Sequence, residues 1–265
     1  MAADFINNLK LFLFIQKSNL KTAFQNKADA LVNVLMMLIN NLAFFFMWWV
    51  IFEHKGNNIN GWGIGEMMLL YMAINNSFGL FALFARGIQQ LPEYIANGTL
   101  DNYLTTPRNP LFMIASSEST FANWGDLITG LLAFFCSGYL NWQTFGTMLV
   151  VSFLCFVLMF SYRLLMSSLA FFIPDSQRLG DNVFMAFITF ASQPASIFTG
   201  LYKLLFLTII PAGFISYFPV KLIQNFSFGD LGLMCLGTAV FYLLASRFFY
   251  FGLTRYASGN RFGVR

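Results

Sequence analysis

Three charged side chains fall inside long apolar runs of this sequence: Glu118, Asp126 and Arg163. A charge in hydrocarbon costs several kcal/mol, so such a residue is paired, lines a polar route, or does chemistry. Glu118 and Asp126 lie eight positions apart, which puts them near one face of a continuous helix. Glu118 and Arg163 should reach similar depth on antiparallel neighbours. The expected arrangement is an ion pair, Glu118 to Arg163, locking one span to the next, with Asp126 as a possible polar lining. The alternative is that all three line a route for substrate. A proton relay is disfavoured, because no further titratable groups extend the chain.

Other chemistry has no residues to carry it. There is no phosphate loop, no HExxH, no GxSxG and no dinucleotide fingerprint. His54 stands alone, and Cys136, Cys155 and Cys235 lie in apolar runs without a CxxC pair. No catalytic residue, metal or cofactor is expected, and the chain cannot hydrolyse ATP by itself.

The elements that would position these charges are membrane spans. The 265 residues are 58% hydrophobic and only 10% charged, too few charges to solvate a soluble surface of this size. The net charge of +4 is explained by basic residues at the inner leaflet, without a nucleic-acid partner. Apolar runs long enough to cross a bilayer predict six spans, at residues 31–52, 67–85, 114–140, 145–173, 183–205 and 231–251. All belong to one domain, 1–265. With the N-terminus inside, the inner segments hold Lys10, Lys17, Lys21, Lys27, Arg86, Arg108, Arg178, Arg247, Arg255, Arg261 and Arg265. The outer segments hold Lys55, Lys203 and Lys221. Both termini therefore face the cytoplasm. Residues 1–29 read as an amphipathic helix in the inner interface, with Phe5, Leu9, Phe12, Leu13, Leu20 and Phe24 opposite Asn7, Lys10, Lys17 and Lys21. The stretch around Pro211, Gly213 and Pro219 is too broken for a seventh span and predicts an outer re-entrant element.

Between the second and third spans lies a polar island, residues 86–110, that contains Pro92, Gly98 and Pro107. It predicts a short helix at the membrane surface, stopped at Gly98, against which another subunit can push.

The run Glu93–Pro107, with a Gly-stopped amphipathic helix followed by Leu100-Asp101 and a Pro, resembles the coupling region of type-2 permease subunits of ATP-binding-cassette exporters. Ile209–Pro219 and the terminal Arg255-Tyr256-Ala257-Ser258-Gly259-Asn260 are similar to one bacterial branch of that family. The resemblance covers nearly the whole chain. It implies an all-α integral membrane protein of six transmembrane helices, with an N-terminal interfacial helix, a cytoplasmic coupling helix between spans 2 and 3 and an outer re-entrant element between spans 5 and 6. It also implies residence in a bacterial cytoplasmic membrane among its lipids. The implied partners are two ATPase subunits and a second permease chain, identical or related. The resemblance also implies the ATPase contact residues, Leu91, Glu93, Tyr94, Ile95, Gly98, Leu100 and Asp101, with Leu91, Tyr94 and Ile95 as apolar knobs. The implied function is export of a hydrophobic or amphipathic compound. A membrane anchor or sensor whose ATPase drives signalling is the alternative.

Overall fold

The computed structural model of the chain describes residues 2–54, 56, 61–194 and 211–257. Within them the regular structure is helical, with no strand among the described residues. In chain order the helices are α1 (Ala2–Ala23), α2 (Lys27–His54), α3 (Ile64–Phe84), α4 (Leu91–Asn97), α5 (Asp101–Leu104), α6 (Pro110–Ser116), α7 (Trp124–Cys136), α8 (Trp142–Ser168), α9 (Gln177–Ala191), α10 (Ala212–Ser216), α11 (Phe218–Gln224) and α12 (Phe228–Leu253). Short 3-10 turns at Arg86–Gln90 and Phe121–Asn123 lead into α4 and α7, and one at Leu169–Phe171 extends α8.

Among the described residues four helices are long and apolar enough to cross a membrane: α2, α3, α8 with its 3-10 extension, and α12. Their starts follow local rules. Asn141 caps α8 by accepting from the Thr144 backbone N–H, and the Thr144 hydroxyl accepts from Asn141 N in return. Ser227 caps α12 through the Asp230 N–H. Proline opens α4 and α6, where its missing N–H is not needed.

The other two expected spans differ from expectation. Residues 114–140 do not form one helix. The chain leaves helical geometry between Ser117 and Thr120, so this region is α6, a break, and α7. Two serine hydroxyls and one backbone bond mark the break. Ser116 donates to Phe112 O (2.8 Å), Ser117 donates to Ile114 O (2.8 Å), and the Thr120 N–H donates across to Ala82 O of α3 (3.0 Å). The region expected to begin a span at residue 183 is helical already from Gln177, and its part beyond residue 194 lies outside the described residues.

The bundle is organised around α3. It is the most enclosed of the four long helices, with 78% of its apolar stretch buried; it packs against α7, α8, α10 and α11 and meets α2 through the rings of Phe44 and Tyr71. The main core joins Met67, Leu70 and Met72 of α3 to Phe134, Met148, Val151 and Phe187. The short pair α10–α11 closes one end of the bundle, burying Ile215, Val220, Leu222 and Ile223. Glu66 fastens this pair. Its carboxylate accepts from Tyr139 OH (2.6 Å), from the Gln224 side chain and from Gly63 N (2.8 Å), tying α3, the α7–α8 connection and α11 together. Lys221 donates to Asp230 at 2.8 Å, and this contact raises the lysine above its ordinary pKa.

The opposite end of the bundle carries α1, α4, α5 and α6. There α1 lies across α6, with Phe12 against Phe84 and Phe112 and with Arg108 donating to Asn8 (2.7 Å). Leu9, Leu13, Phe14 and Leu20 remain exposed along α1.

Candidate coupling site

The polar island folds into two short helices with a second, smaller core beneath them. Leu91 and Leu100 are fully buried there with Ile88, Leu111, Ile114, Leu164 and Phe249. This corrects the expectation that Leu91 is an outward knob and Leu100 a contact residue. Both anchor the island to α6, α8 and α12. Gly98 ends α4 in the left-handed region (φ 73°), a backbone state an L side chain adopts only with strain. The 3-10 turn before α4 approaches α6 so closely that a Cβ at Gly87 would overlap the carbonyl oxygen of Ile114.

The outward side of α4 carries Glu93, Ala96 and Asn97, with Thr99 just beyond. Tyr94 and Ile95 are half-buried at its edge. Asp101, also half-buried, opens α5 and lies beside Tyr256. Next to α4 a groove of about 630 Å³ is lined by Pro92, Ile95, Arg178, Arg255 and Tyr256 together with residues 170–172 and 174–177, Asp175 among them. Two arginines against one aspartate give it a basic edge.

The inner side of α4 reaches the broken span. Tyr94 OH donates to Glu118 Oε1 (3.2 Å) and lies 3.4 Å from the Ser117 hydroxyl, and Gln90 Nε2 donates to Glu118 Oε2 (3.2 Å). Burial pushes the Tyr94 hydroxyl up in pKa, so it remains a donor. Glu118 therefore does not pair with Arg163. The break carries Glu118 out of the helix that would have placed it beside α8, and its carboxylate turns to α4 instead.

Arg163 finds another partner. It is 2% exposed, and its Nη2 lies 2.6 Å from Asp181 Oδ1 on α9. The same nitrogen donates to Gln89 O at 3.4 Å, and the guanidinium stacks over Phe184 at 5.1 Å. The early start of α9 brings Asp181 into reach. The sequence signal for this pair was Asp181 itself, four residues into α9, which disappears if the span is begun at residue 183.

Asp126 also has a different task from lining a route. It is 3% exposed and accepts from Asn41 of α2 (2.8 Å) and Asn123 (2.7 Å). It stands in the first turn of α7, where a carboxylate offsets the positive end of the helix that the break creates. Because α6 and α7 are separate, Glu118 and Asp126 do not share a helix face.

A helical bundle with several helices long and apolar enough to cross a membrane is what a multi-pass membrane component requires. Comparison with known families agrees: residues 38–259 match the model for ABC-2 family transporter protein. The chain belongs to this family, and is a multi-pass permease component of an ABC transporter that works with an ATP-binding subunit. Permeases of this family are membrane components and are generally not themselves catalytic. No curated protein matches the chain.

Proposed function

We propose that this permease exports a hydrophobic or amphipathic compound, driven by two ATPase subunits docked beneath a pair of permease chains. The observation that carries the reading is the bond from Tyr94 of α4 to Glu118 in the broken span. A helix that offers Glu93, Ala96 and Asn97 outward while gripping a discontinuous span inward is placed to pass rigid-body motion of a partner into the bundle. The basic-edged groove beside α4 supplies a seat for the partner, with Arg178 and Arg255 meeting acidic side chains. Eleven basic residues on one side against three on the other support cytoplasmic termini, α4 at the cytoplasmic surface, and α10–α11 outside. The resemblance to bacterial exporters supports the direction of transport and the inner membrane.

Two substitutions test the coupling role. Ala96→Asp, on the exposed side of α4, is expected to abolish copurification with the ATPase while the permease still inserts. Tyr94→Phe is expected to keep the complex together and to reduce stimulation of the ATPase by the permease several-fold. An intact complex with Ala96→Asp, or full stimulation with Tyr94→Phe, would overturn it. Identification of compounds that copurify in mild detergent, followed by their transport in vesicles, tests the cargo class.

A further inference from the structure

We infer that the outward face of α2, marked by Asn33 and Asn40, packs against the same face of a second copy of this chain. The inference rests on the paired-permease reading and specifies its contact surface. Of the four long helices α2 is the least enclosed, with 11% of its apolar window buried. Its inner side is accounted for. Asn41 binds Asp126, the Phe44 ring lies 5.3 Å from Tyr71, and Trp48 is buried in the main core. The other side exposes Asn33, Met36, Asn40, Ala43 and Met47, which fall on one stripe because seven residues fall only about 20° short of two turns.

Lipid is an unsuitable cover for that stripe. At ~1.5 Å per residue α2 is about 42 Å long against a hydrocarbon core of about 30 Å. Asn40 is therefore close to the midplane, and Asn33 is roughly 10 Å away, still inside the core. Neither amide has a hydrogen-bond partner among the described residues, and an unpaired amide in hydrocarbon costs several kcal/mol. The comparison within the molecule is α12, which is almost as open at 17% buried. Its exposed side between Leu233 and Leu244 has no amide and no charge, as a lipid-facing surface should.

The chemistry of the stripe selects the occupant. A carboxamide is both donor and acceptor, so the best partner for an Asn at mid-bilayer is the same group presented by a two-fold-related copy. Such amide pairs are the best-attested polar device for fixing register between helices. Ala43, one turn from Asn40, keeps that part of the stripe low enough for the two backbones to approach.

The test starts from a variant with Cys136, Cys155 and Cys235 replaced by alanine. Single cysteines are placed by Asn33→Cys, Asn40→Cys and, on α12, Leu236→Cys. Mild oxidation in native membranes is expected to give disulfide-linked dimers at positions 33 and 40 and none at 236. In the native-cysteine protein, Asn40→Leu is expected to weaken the dimer roughly ten-fold in a detergent dilution series read by light scattering. Cross-links at 236 alone would show paired permeases meeting by another face. So would cysteines at 33 and 40 that react with a water-soluble thiol reagent without cross-linking, or an unweakened Asn40→Leu dimer. Each leaves the pairing intact and overturns this surface. A monomeric mass with no cross-link anywhere would remove the pairing itself, and a mass showing a different permease chain would remove the self-pairing.

Discussion

The Arg163–Asp181 pair predicts an unequal order of damage that a Glu118–Arg163 pair would not. Arg163 is 2% exposed and Asp181 is 40% exposed. Asp181→Leu strands a guanidinium in the core with one long contact to Gln89 O and the face of Phe184. Removing one partner of a buried pair typically costs about 3–5 kcal/mol, because the remaining charge is left without compensation. Arg163→Leu leaves a carboxylate that is 40% exposed near the start of α9, so the cost should be nearer about 1 kcal/mol. The double replacement removes both charges and should recover most of the Asp181→Leu loss. At about 2–4 °C per kcal/mol for a chain of this size, Asp181→Leu should lower the midpoint of thermal inactivation by roughly 10 °C. The assay is the fraction of monodisperse protein left after a heating series in detergent, read by size exclusion. If Arg163→Leu proved as damaging as Asp181→Leu, or the double variant kept the full loss, the pairing would be refuted. Glu118→Leu should add to Arg163→Leu without rescue, since the two side chains share no contact.

Two further outcomes follow from close packing and topology. Gly87→Ala forces a methyl group into the Ile114 carbonyl and should cost about 2 kcal/mol or more, measured as a lower inactivation midpoint; an unchanged midpoint would mean that α6 yields freely. In a cysteine-free background, Asn225→Cys should react with an impermeant thiol reagent added outside whole cells, while Asn97→Cys should react only after permeabilisation. Reversal of that pattern would invert the orientation proposed for the bundle.

Much of the framework was legible because it depends on length and composition. The apolar runs at 31–52, 67–85, 145–173 and 231–251 correspond to α2, α3, α8 and α12. Gly98 marked the stop of α4 by its backbone chemistry alone. The break in the third apolar run was harder, because no Gly or Pro announces it. Its signal is the run Ser116-Ser117-Glu118-Ser119-Thr120, in which the Ser116 and Ser117 hydroxyls bond the backbone of the preceding turn. That misreading spread to the site. A helix drawn straight through Glu118 aims it at Arg163, and a span begun at residue 183 leaves Asp181 in a loop. Burial of Leu91 was not legible, since a seven-residue helix shows too few turns to separate its two sides, nor was that of Leu100, which lies in the turn between α4 and α5.

The break between α6 and α7 also sets the mechanical ratio of the bundle. Thr120 is bonded to Ala82 of α3, so the far side of the break is held by the most enclosed helix. The near side, α6, is seven residues long, or about 10 Å. Tilting so short an arm by about 10° displaces its free end by roughly 2 Å while α7 stays in place, within the range of helix shifts known from switching proteins. An unbroken helix through residues 114–140 would have to swing as one rod, dragging Asp126 and its contact with α2 along. In the coupling proposed above, the break thus serves as a short lever on a fixed fulcrum, one that would work in small strokes and leave the α2–α7 seam closed through each of them.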